Sequence, residues 1–210
     1  MNGTKQKILD VSLDLFSQNG FSAVSVRDIC KRVGIKESSV YYHFKNKQSI
    51  LDDLLQHFEA AATELMLQLE QALKDAPDTF GENLWKETCD CFFEKYLMDG
   101  YCNKIMRLLS IERFCNEEIQ KIYDCWMFDK PLQFQAKVFS LLNTAGIIKT
   151  SDSEYSAVKF YAPIFLFMQQ WLFCGTLTDE CKQAFRENAY RHIQKFFIEM
   201  EDKQYDKCMT

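Results

Sequence analysis

The sequence predicts an all-α fold, and three observations carry it. Apolar residues recur at steps of three and four through most of the 210-residue chain. Helix breakers are scarce, with 7 Gly and 3 Pro. No alternating run of the kind a half-buried strand needs stands out. A chain of this length suits one or two domains and can bury a substantial core.

The first helix is expected over Thr4–Asn19, with Ile8, Ser12, Leu15 and Phe16 on one face and Gly20 ending it. Phe21 and Val24 should tuck into the same small core. Ser25 and Asp28 have the spacing of a capping box, which starts the second helix. Gly34 supplies the left-handed residue that stops it, and Ile35 should anchor the turn. A third helix, Glu37 to His43, is short and polar. A helix of that length is marginal in water on its own, so neighbours must hold it and its polar face must serve another purpose. A helix–turn–helix explains both, with one helix bracing and the other offered to the major groove of DNA.

Asn46 is a good cap for a long fourth helix, Lys47 to Leu73, in which Leu51, Leu54, Leu55, Phe58, Ala62, Leu65 and Leu69 form one stripe. Pro77 and Gly81 mark the break after it. Further helices are expected over Asn83–Met98, Lys104–Phe114 and Asn116–Asn143, the last kinked at Pro131. Two more should cover Ser153–Phe173 and Asp179–Met200, before a frayed tail EDKQYDKCMT. That makes about nine helices. Phe160 to Thr178 has no charged residue, but Pro163, Gln169, Gln170 and Gly175 interrupt it and its apolar part is too short to span a bilayer.

The formal charge is −5, unevenly spread. Residues 1–50 hold eight Lys and Arg against four Asp and Glu, a balance of +4 that leaves −9 for the remainder. A basic N-terminal module on an acidic body suits a localised DNA-binding face. The nine cysteines are Cys30, Cys89, Cys91, Cys102, Cys115, Cys125, Cys174, Cys181 and Cys208. An odd count without an apolar leader reads as reduced thiols in a cytoplasmic chain, with thiol-based sensing left open. Their spacing does not favour a metal site, and no cofactor is expected. His43, His57 and His192 are far apart, and no H-E-x-x-H, G-x-S-x-G or phosphate-loop pattern is present, so the expectation is a chain that is not an enzyme.

Ile8-Leu9 with Leu15-Phe16, then Gly20-Phe21, SVRDICKRVGI and VYYHFKNK, resemble in order and spacing the DNA-binding domain of TetR-family transcriptional regulators. The resemblance covers roughly residues 4–50. It implies a helix–turn–helix domain at 1–47 and a helical effector-binding and dimerisation domain at 48–210. By position it implies that Lys47 meets a phosphate at the start of the long helix, that Tyr41 and His43 donate to flanking phosphates, and that Arg27 reaches the backbone or a guanine edge. Ser38, Ser39 and Tyr42 would face base edges or a thymine methyl. Two positions depart from the family pattern. Lys36 stands where a Ser or Thr usually caps the recognition helix, and Glu37 where a basic or small residue is common. Glu37 could accept from a cytosine amino group.

The implied partners are a double-stranded DNA operator, a second copy of the chain, and a small apolar or aromatic effector, with no membrane. The aromatic second half offers Trp85, Phe92, Tyr96, Trp126, Tyr161 and Phe165 as candidate cavity walls, with plain core packing as the competing reading. Phe160, Ile164, Phe167, Trp171, Phe185, Ala189, Phe196 and Phe197, on the last two helices, are the expected dimer seam. The sequence reads best as a ligand-responsive repressor that binds a pseudo-palindromic operator as a dimer. The rival is a helical small-molecule-binding or sequestering protein with degenerate DNA binding.

Overall fold

The computed structural model describes residues 3–75 and 82–202. Ten α-helical segments follow in order: α1 Gly3–Asn19, α2 Val26–Val33, α3 Glu37–His43, α4 Lys47–Asp75, α5 Glu82–Phe92, α6 Gly100–Glu112, α7 Glu117–Asp124, α8 Lys130–Thr144, α9 Ser153–Phe167 and α10 Asp179–Asp202. Three π-helical turns extend them: Phe93–Leu97 after α5, Cys125–Asp129 between α7 and α8, and Met168–Leu172 after α9. Because α7, its π turn and α8 run on unbroken, the described residues form nine continuous helices and no strand. The expected break at Pro77 and Gly81 lies outside the described residues, as does the tail beyond 202.

The chain separates into two compact units, and not at 47/48. The first takes residues 1–64 with 100–124, and the second takes 65–99 with 125–210. Thus α4 contributes residues to both, and α6 and α7 join the N-terminal helices. In the first unit α1 packs on α2, α3 and α6. The expected core residues Ile8, Phe16, Val24, Ile29, Val33, Val40 and Phe44 are buried. Leu51, Leu54 and Phe58 of α4 are buried too, as are Ile105 and Leu109 of α6. A three-helix unit of about fifty residues cannot exclude water from both sides of its core, so it recruits later helices. Lys5–Asp53 at 2.7 Å and Lys104–Asp14 at 2.6 Å pair across α1–α4 and α1–α6, and the Tyr101 hydroxyl donates to the Leu54 carbonyl at 2.7 Å.

In the second unit α9 packs on α8 and α10. Phe160 lies at the centre, with ring centroids of Phe139 at 5.5 Å and Phe196 at 5.3 Å, both edge-on. The kink expected at Pro131 takes the form of the preceding π turn. Proline has no N–H and crowds the carbonyl one turn back, so a wider turn relieves the clash and leaves carbonyls without helical donors. Two tyrosines meet them there. Tyr161 donates to the Met127 carbonyl at 3.0 Å and Tyr96 to that of Trp126 at 3.4 Å.

Tyr161→Phe removes a buried donor while keeping the ring, and should cost about 1–2 kcal/mol in equilibrium unfolding. An unchanged unfolding midpoint would show that the Met127 carbonyl does not depend on this hydroxyl.

Candidate nucleic-acid interface

The short polar helix is built by local chemistry on both sides. Ser25 caps α2: its side chain accepts from the Asp28 N–H, and the Asp28 carboxylate accepts from the Ser25 N–H at 2.9 Å, completing the capping box. The Ser25 hydroxyl, which also donates to Asp28 Oδ2 at 2.6 Å, and then the Ser25 N–H hold the Asp28 carboxyl below the usual carboxylate range. Gly34 closes α2 at φ +81°, in the left-handed region, and the N–H groups of Gly34 and Ile35 both reach the Cys30 carbonyl. At Lys36 the N-cap makes no side-chain hydrogen bond, as its departure from Ser or Thr suggests. Asn46 and Ser49 cap α4 reciprocally, the Ser49 N–H donating to Asn46 Oδ1 at 2.8 Å.

Helix α3 buries only Val40 and turns the rest outward. Tyr42 is 83% exposed, its ring edge-on to His43 at 5.0 Å. Ser38, one turn earlier on the same face, is exposed as well. Tyr41 is half exposed. Ser39 and His43 are half-buried. Arg27 on α2 donates to Glu37 at 3.1 Å, an exposed pair that ties the two helices loosely and occupies the carboxylate expected to read cytosine.

Lys47 is where the structure differs most from the sequence-based expectation. Its Nζ donates to the Phe21 carbonyl at 2.8 Å and the Val24 carbonyl at 2.7 Å, and lies 4.2 Å from the centre of the Phe21 ring. Desolvation pulls its pKa down, opposed by the nearby Glu112 carboxylate. Glu112, at the end of α6, is almost fully buried and accepts from both the N–H and the hydroxyl of Ser22. The α1–α2 loop is therefore clamped from two sides, by a cation from α4 and an anion from α6. Gly20 fits beside it at φ +83°, where an added Cβ would sit 2.8 Å from Glu112 Oε2. The sequence gives no local sign of Glu112, because its partner lies ninety positions away. The exposed cations flanking α3 are Lys36 and Lys45.

In the second unit, the expected cavity wall is mostly core. Phe92 and Tyr161 do line a common void, with Phe93, Phe134 and Phe160, but it measures only about 20 Å³ and has room for roughly one water. Tyr96 and Trp126 are buried away from it, Phe165 packs at a tilt against Phe128 with ring centroids 5.2 Å apart, and the Trp85 side chain lies outside the described residues. A larger concavity of about 290 Å³, lined by Lys159, His192, Lys195, Phe196, Glu199 and Met200, was not foreseen.

The expected seam residues also divide. Phe160, Ile164, Phe185, Ala189 and Phe196 are buried within the chain, while Phe167, Trp171 and Phe197 are half-buried. Helical periodicity marks an apolar face without saying whether the same chain covers it. The apolar side chains left open on α9 and α10 are Tyr155, Val158, Leu166 and Ile198.

With this geometry in view, comparison with known proteins is specific for the first unit. Residues 8–54 match the family model described as bacterial regulatory proteins, tetR family. The N-terminal domain is of the TetR family. The transcriptional regulator AcrR of Shigella flexneri is 36% identical over 74 residues, covering 35% of this chain and 34% of that one. The chain thus spans about a third of that relative's length. IcaR of Staphylococcus epidermidis, named as a negative transcriptional regulator of the biofilm operon icaADBC, is 23% identical across 91% of this chain and 98% of its own. A solved TetR-family structure from Mesorhizobium loti superposes with a TM-score of 0.64 at 18% identity, covering 93% and 95% of the two chains. That likeness extends the TetR-type fold through both units. No described helix is long and apolar enough to cross a membrane.

The capping box carries a pH signature. Because the folded Asp28 carboxyl is held below its ordinary value, its stabilisation is present above about pH 4 and lost as pH falls through the folded value. Asp28→Asn should lower the melting temperature near neutrality and flatten its decline between about pH 5 and 2. Parallel pH profiles for the two proteins would contradict this.

Proposed function

We propose that this chain is a sequence-specific DNA-binding transcriptional regulator, acting as a repressor when two copies bind a pseudo-palindromic operator. The observation that carries the reading is α3: a seven-residue helix that buries one residue, Val40, and holds Tyr42 almost fully in solvent. Exposing a large aromatic ring costs stability and returns nothing within the folded chain, and a major groove accepts such a ring against base edges and thymine methyls. The TetR-family match over residues 8–54 supports the same assignment.

In this reading Ser38 and Tyr42 face the bases, with Ser39 beside them. Arg27 exchanges Glu37 for a phosphate or a guanine edge, and Tyr41 and His43 donate to flanking phosphates. The phosphate-binding cations are Lys36 and Lys45 at the two ends of α3, while Lys47 serves by fixing the loop behind it. The two-fold operator follows from isologous pairing through the open apolar residues of α9 and α10, and successive major grooves on one face of DNA call for recognition helices about 34 Å apart, or a little more.

Ligand response rests on the aromatic second unit. Its 20 Å³ void is closed to an effector in this conformer, so a small apolar or aromatic molecule would bind by selecting one in which Phe92, Phe134 and Tyr161 separate. Helix α4, continuous between residues of both units, is the element such a change would bias.

Selection from random duplex DNA should enrich an inverted repeat, and failure to enrich any sequence would overturn the assignment. Tyr42→Ala should weaken that site roughly tenfold or more and leave non-specific DNA within about twofold. Lys45→Ala should weaken all sequences alike and reduce the salt slope by about one. Equal loss at specific and non-specific DNA for Tyr42→Ala would remove it from base readout.

A further inference from the structure

Helices α9 and α10 pack on each other, and side chains from both line the concavity of about 290 Å³, close to the lower size of small-molecule sites. Its described lining divides by chemistry. Phe196 and Met200 are buried and give it apolar surface, while Lys159, Lys195 and Glu199 are exposed and put charge beside that surface. The apolar wall is set in advance. Phe196 packs against Phe139 and Phe160, with ring centroids 5.4 Å and 5.3 Å away. His192, the remaining lining residue, donates from Nε2 to the Phe160 carbonyl at 2.9 Å, which fixes its ring. We propose that this concavity binds a small monocarboxylate with an apolar or aromatic body, the two lysines taking the carboxylate and Phe196 and Met200 the body.

Both ammonium groups are free to do so. Among the described residues neither Lys159 nor Lys195 is in an ion pair, and neither is Glu199. Lys195 precedes Glu199 by one helical turn, the weaker order for a pair along a helix. Lys159 Nζ rests 5.0 Å from the centre of the Tyr155 ring, a contact that leaves its N–H groups available. Long lysine stems can fold over a ligand while their heads keep to the charged end. The balance of the described lining is one positive charge, with histidine neutral. A carboxylate cancels it, whereas a dianion would set a surplus negative charge beside Glu199. The site shares no described lining residue with the void beside Phe92 and Tyr161, so occupying it does not require that void to open.

Calorimetric titration of the full-length protein with 3-phenylpropionate, its neutral amide and inorganic phosphate tests this. The carboxylate should bind at one site per chain, with the amide and phosphate each about tenfold weaker or more. Lys159→Gln and Lys195→Gln remove charge from exposed side chains without disturbing the core, and each should weaken carboxylate binding about fivefold. No saturable binding at millimolar carboxylate, equal binding of the amide, tighter binding of phosphate, or unchanged affinity in both variants would each overturn the proposal.

Discussion

The arrangement of the first unit depends on a pair of opposite charges, Glu112 buried and Lys47 half-buried, working on one loop. Residues 20–24 join α1 to α2 and carry carbonyls and an N–H that no helix satisfies. The Lys47 ammonium takes the carbonyls of Phe21 and Val24, and the Glu112 carboxylate takes the N–H and hydroxyl of Ser22. Each ion is partly stripped of water, and each is repaid by hydrogen bonds to backbone as well as by the other's field. A loop fixed in this way sets where α2 starts, and the capping box and Gly34 then set where α3 points.

The second unit meets a different constraint with similar means. Its helices carry three π turns, one immediately before Pro131. Every widened turn shifts carbonyls off their usual donors, and a buried carbonyl without a donor is costly. The tyrosines at 96 and 161 thus do two jobs, filling core volume with the ring and meeting Trp126 and Met127 with the hydroxyl. This explains why the void beside Phe92 and Tyr161 measures no more than about 20 Å³.

What was legible in the sequence was local. The Ser25–Asp28 box, the stop at Gly34, α3 at 37–43 and the Asn46 cap all rest on contacts within four residues, and all appear in the structure. The unreadable parts needed distance. Lys47 looked like a phosphate ligand because nothing near it reveals two carbonyls 23 and 26 residues earlier. Glu112 meets Ser22 across ninety positions, so nothing local marks it. Phe160 and Phe185 satisfied the periodicity of a seam, yet α9 and α10 bury them against their own chain. Tyr96 and Trp126 met the description of a cavity wall and of a packed core equally well, and packing won.

The clamp from Lys47 holds the helix–turn–helix in place without itself being displayed. Amide hydrogen exchange on Lys47→Met measures this most directly. The expected result is a loss of protection of about tenfold or more across α2 and α3, with α9 and α10 unchanged. Wild-type protection in α2 and α3 after this substitution would contradict it.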